Sequence, residues 1–202
     1  MYSKSITTLL TAAILVSASF AHADFSTLPA ALAKDLASPD AKARVRARQL
    51  LPRHGVAALD HLLPLLASQD QGVKLSAYNV IADIANGAAA PGHDADRQVA
   101  AVKLITLVAS DQPEVVVQQG LRLLPIVVPD GFDVGPVAAL LSSADATLRE
   151  KARESLGLMA TDEACDALLQ RADLGRQLGD DHGRASSEHV FDRTVRIPRQ
   201  PT

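Results

Sequence analysis

The chain alternates long apolar stretches with short polar turns. Four of the turns resemble one another: Leu36-Ala37-Ser38-Pro39-Asp40, Leu66-Ala67-Ser68-Gln69-Asp70, Val108-Ala109-Ser110-Asp111-Gln112 and Leu141-Ser142-Ser143-Ala144-Asp145. Their serines, Ser38, Ser68, Ser110 and Ser143, are spaced by 30, 42 and 33 residues. Ser, Asp and Pro suit a helix start. Side-chain oxygens accept from the unpaired N–H groups of the first turn, and Pro needs no N–H there.

An apolar face recurs after each turn. Ala43, Val73, Val115 and Leu148 take a first core position. Four residues on come Ala47, Ala77, Gln119 and Ala152; eight on, Leu51, Ile81, Leu123 and Leu156; eleven on, His54, Ile84, Ile126 and Met159. These offsets fall on one side of a helix that turns about 100° per residue. A small residue at the second position lets two helices approach closely. Gln119 breaks that rule, so the third repeat is expected to be the least regular.

Helices are predicted near 27–37, 40–53, 56–67, 70–86, 94–109, 112–127, 134–142, 145–160 and 162–173. Pro64 lies inside a helical pattern and should kink or break it. The 42-residue spacing reflects an extended connection: Asn86-Gly87 ends a helix, Ala90-Pro91-Gly92-His93 turns, and Asp94 or Asp96 caps the next. No segment shows useful strand alternation, so the fold class is all-α.

The helical pairs resemble the HEAT-repeat family over about residues 27–173. Val73-Lys74 with Ala77 and Ile81 is the best match to its pattern of apolar-basic, small and aliphatic positions. Ala43-Arg44 with Ala47 and Leu51, and Leu148-Arg149 with Ala152 and Leu156, are close. The resemblance implies an α-α superhelix, a HEAT-like solenoid of about four helical pairs plus a capping helix. Armadillo repeats, with a third short helix, and a plain helical bundle are the alternatives.

The ends differ from the repeats. Residues 1–23 follow a secretory signal pattern: Lys4, an apolar run from Ile6 to Phe20, and Ala21-His22-Ala23 for cleavage. Cleavage after Ala23 implies a periplasmic or secreted protein with no stable membrane insertion. Residues 24–174 form the HEAT-like domain, and 175–202 a polar tail expected to be flexible.

Composition supports this picture. Of 202 residues, 48% are hydrophobic but only 3% aromatic, and there is one cysteine. Ala and Leu dominate, which favours packed helices over a disulfide scaffold or a base-stacking surface. Losing Lys4 with the leader moves the formal charge from −3 to −4, so no general attraction for nucleic acid is expected. Cys165 has no partner in the chain and is expected to be a buried small hydrophobe.

Candidate chemistry is sparse. There is no G-x-S-x-G, Walker A, G-x-G-x-x-G or H-E-x-x-H motif. His93, Asp94 and Asp96 offer imidazole and carboxylate in one loop, but their spacing fits no ligand pattern, and a plain loop is favoured. No metal and no cofactor are expected. His54 is expected to be partly buried, near helix carbonyls.

Two residues after each first core position stand Val45, Leu75, Val117 and Glu150, opposite the core stripe. Near them are Arg46, Gln49, Asn79 and Leu121, with Arg53 and Tyr78 at the edges. In a solenoid the second helices line the concave surface. These positions then form a groove with an apolar floor and a basic N-terminal end, suited to an acidic protein or peptide. Alternatively the aliphatics pack between adjacent helices. The function implied is a non-enzymatic protein-binding module or adaptor of the bacterial cell envelope. The alternatives are an enzyme like the HEAT-type bilin lyases, or a chaperone for a metal or small molecule.

Overall fold

A computed structural model of the chain describes residues 28–173. The expected signal peptide and C-terminal tail lie outside the described residues. Among those described, every regular element is helical and none is a strand. The chain divides into two compact units between Ala100 and Ala101.

The first unit begins with α1 (Leu28–Asp35) and α2 (Ala41–Leu50). Next comes a mixed stretch: a 3-10 segment (Leu51–Ala58), the short α3 (Leu59–Leu62) and a second 3-10 segment (Leu63–Ala67). Both 3-10 segments start at a Leu-Pro pair, Leu51-Pro52 and Leu63-Pro64. Proline has no N–H to give to the carbonyl four residues back, so the coil tightens there. Pro64 thus breaks its helix as expected. Gly55 turns the first segment sharply at φ 56°, a left-handed value that favours glycine. Then α4 (Gln71–Ala88) packs on all three pieces. Val73, Ala77, Ile81 and Ile84, its predicted core face, are all buried. Ala47 and Leu51 are fully buried too, whereas Ala43 and His54 are half-buried.

Helix α5 (Asp94–Ala109) spans the division between the units. It starts at Asp94, so Asp94 and Asp96 lie within its first turn and neither is the cap. Carboxylates there still favour the helix dipole.

The second unit continues with α6 (Glu114–Val127), α7 (Gly135–Leu140) and α8 (Ala146–Met159), followed by helical residues 162–173. Helix α8 packs against both α6 and α7. Its Ala152, Leu156 and Met159 are buried as predicted, and Leu148 is half-buried.

Helix α6 corrects the predicted register. Val115 is exposed and Gln119 is only half-buried. A buried series runs one residue later, through Val116, Gly120, Leu124 and Val127, while Leu123 of the predicted series is fully buried as expected. The cause lies in the turn. Helices α2, α4 and α8 begin three residues after Ser38, Ser68 and Ser143, but α6 begins four after Ser110. The extra residue leaves Pro113 at the cap position, with no side-chain bond. Gly120 therefore takes the small position held elsewhere by Ala47, Ala77 and Ala152. One other expectation also changes: Cys165 is exposed. Phe132, although in a loop, is buried.

Candidate functional site

The site rests on a repeated helix start. Ser38 Oγ accepts from the Asp40 N–H at 3.1 Å, and Asp40 accepts from the Lys42 N–H at 2.9 Å. Ser68 and Asp70 repeat this, with Asp70 accepting from Gly72 and Val73. Ser143 and Asp145 do the same toward Thr147 and Leu148. The N–H of Leu148, with help from that of Thr147, holds the Asp145 carboxyl below its ordinary range.

In the first and fourth turns an arginine closes the motif. Arg44 Nη1 donates to the carbonyls of Ser38 and Pro39 at 2.8 and 2.9 Å. Arg149 Nη1 donates to those of Ser143 and Ala144 at the same distances. Lys74 holds the matching position in the second repeat. In the shifted third repeat it is Val117, so that turn has no cation to reach back.

These starts place α2 and α4 with two depressions around α2. One, of about 690 Å³, lies between the 36–39 turn, α2 and α4, and has Arg44, Arg48, Asp70, Leu75 and Ser76 in its walls. The other, of about 360 Å³, is lined by Ala41, Lys42, Val45, Arg46 and Gln49. Val45 is 45% exposed and Leu75 61%. Both occupy the same position in consecutive repeats.

The predicted residues are thus only partly brought together. Val45, Arg46 and Gln49 share one depression, and Leu75 lines the other. Arg53, Asn79 and the half-buried Tyr78 line neither. Val117 and Leu121 are corrected outright: they are 6% and 1% exposed and belong to the core of the second unit. The register shift puts Gln118 at the outward position, where it donates to Glu114 at 2.6 Å. Of the predicted apolar floor positions only Val45 and Leu75 are exposed, and they line different depressions.

Sequence patterning gave Arg44 and Arg48 no part in the expected groove; both line the larger depression. At the weak metal candidates, His93 Nδ1 lies 3.4 Å from Asp96 Oδ2 on an open surface. Among the described residues no three His, Cys, Asp or Glu side chains converge to hold a metal ion. No helix among them is long and apolar enough to cross a membrane.

No family model matches the sequence, and no curated protein matches it. Among solved structures, the chain is similar to one described as an engineered protein, at 24% identity with a TM-score of 0.39. The match covers 71% of this chain and 68% of that one.

Proposed function

We propose that this chain is a non-enzymatic protein-binding module or adaptor of the bacterial cell envelope. In this proposal its helical pairs stack as in a HEAT-like solenoid, and the second helix of each early pair faces the partner. One observation carries the proposal. Val45 and Leu75 are large, aliphatic and exposed at the same position of consecutive repeats. A single exposed aliphatic is ordinary, but recurrence on a patterned face favours contact with a partner. Arg46 and Arg53 add a basic margin. The signal pattern of residues 1–23 supports the envelope as the compartment.

The test is affinity capture from envelope extracts, using the full chain and a Val45→Ser/Leu75→Ser variant. The variant should fold as the wild type does, since both side chains are exposed, and should lose the protein that the wild type retains. Equal retention by both would contradict the proposal.

A further inference from the structure

The repeats supply an internal comparison of charge. In α8, Glu150 pairs with Arg153 at 2.6 Å, and Glu154 pairs with Lys151. The matching residues of α2 follow from the shared turn: Val45 stands for Glu150, Arg46 for Lys151, Arg48 for Arg153 and Gln49 for Glu154. Both cations are kept and both acids are replaced by neutral residues. Helix α2 consequently carries Lys42, Arg44, Arg46 and Arg48 with no acid of its own. Among the described residues Lys42, Arg46 and Arg48 have no ion-pair partner. Lys42 and Arg46, like Arg44 and Arg48, are four residues apart, where like charges oppose helix formation. A helix that keeps its cations and lacks the acids of its sister helix is incomplete in charge.

We infer that α2 receives an acidic segment of a partner protein, whose carboxylates take the places of the missing acids. The inference rests on the binding-module proposal and adds the chemistry of the partner. The segment crosses the outer face of α2. Successive residues are about 100° apart, so Val45 lies on that face between Arg48 on one flank and Arg46 on the other. Arg48 opens into the larger depression, which Leu75 also lines, offering contact to an apolar side chain; the Asp70 carboxylate in the same lining is taken up by the N–H groups of Gly72 and Val73. Arg46 opens into the smaller one. Arg44 is held at the groove wall by the Ser38 and Pro39 carbonyls, so its guanidinium is pre-positioned. Guanidinium groups match carboxylates by paired hydrogen bonds, and the apolar contact separates this surface from a simple polyanion site.

The experiment restores the acids. A Val45→Glu/Gln49→Glu variant of the full chain should recreate the two pairs of α8 and keep or raise the thermal midpoint. The probe is a fluorescent peptide of alternating Glu and Leu, with a Lys-for-Glu peptide as counterpart. The wild type should bind the acidic peptide, and more weakly in high salt. The restored variant should bind it about tenfold more weakly or worse, because its own carboxylates occupy the arginines. Arg122→Glu lowers the formal charge equally at an exposed site on α6, and should leave binding unchanged. Equal loss in the Arg122→Glu variant would overturn the inference by reducing it to net charge. Indifference between the peptides, or binding to phosphatidylglycerol vesicles in place of the peptide, would overturn it as well. If Val45→Ser/Leu75→Ser loses its envelope protein while the restored variant keeps it, the acidic partner is wrong and the module proposal stands.

Discussion

The Ser155 hydroxyl donates a buried hydrogen bond of 2.7 Å to the carbonyl of Leu121, thirty-four residues away in sequence. Four residues after Leu121 stands Pro125, inside α6. An ordinary residue there would give its N–H to that carbonyl, and proline has none to give. Ser155, from α8, supplies the missing donor. The pairing of α6 with α8 therefore includes a specific polar contact as well as apolar packing.

This relationship predicts a coupling. Ser155→Ala leaves a buried carbonyl without a donor and should cost about 1–3 kcal/mol. In a Pro125→Ala background the new N–H can take the carbonyl, and Ser155→Ala should then cost less than half as much. A double-mutant cycle by urea denaturation measures the difference. Additive effects would show that the Ser155 bond does not compensate for the proline.

A second prediction concerns Gly120, the small residue of the third repeat. A Cβ there would meet Val108 Cγ2 at 2.8 Å and Leu107 Cδ2 at 3.4 Å. Alanine favours helices by about 1 kcal/mol over glycine, but overpacking costs about 1–3 kcal/mol. Gly120→Ala should lower the thermal midpoint. Gly157→Ala, where a Cβ meets nothing within 4 Å, should raise it. If both variants shift the midpoint upward, the close approach of α5 and α6 is wrong.

A third prediction concerns pH. The Asp145 carboxyl titrates below its ordinary value because backbone N–H groups stabilise the charged form. A depressed folded value means stability that is present above the unfolded value, about 3.9, and is lost as pH falls through the folded one. Asp145→Asn keeps an acceptor but not the charge. Wild type should lose more stability than this variant between about pH 5 and pH 3. Parallel acid-unfolding curves would contradict that.

Much of the helical fold was legible in sequence. Core faces on α4 and α8 follow from period alone, because their turns are the same length. The register of α6 was not legible by the same route. One extra turn residue rotates every later side chain by about 100°, and serine spacing cannot reveal it. Gln119 carried the clue: an amide at a close-contact position signals the wrong frame. The same slip put Val117 and Leu121 at floor positions; they take the places of Arg44 and Arg48 instead, and in α6 those places are apolar and buried. Cys165 misled for another reason, since a preference for burial is statistical and its place on the helix faces outward.

The candidate site was legible in part. Val45 and Leu75 stood out because aliphatics at outward positions break the helical pattern. Arg44 and Arg48 did not, because cations on an outer face are ordinary. Their meaning came from comparing α2 with α8, which requires knowing that Arg153 and Lys151 are paired.

The central claim is that the outer face of α2 and α4 meets a partner protein. Photo-crosslinking in intact cells tests it most directly, with a benzophenone amino acid at position 45, 75 or 122 in turn. Positions 45 and 75 should give an adduct with the same envelope protein, and position 122 should give none. No adduct at 45 and 75, or the same adducts at 122, would contradict the claim.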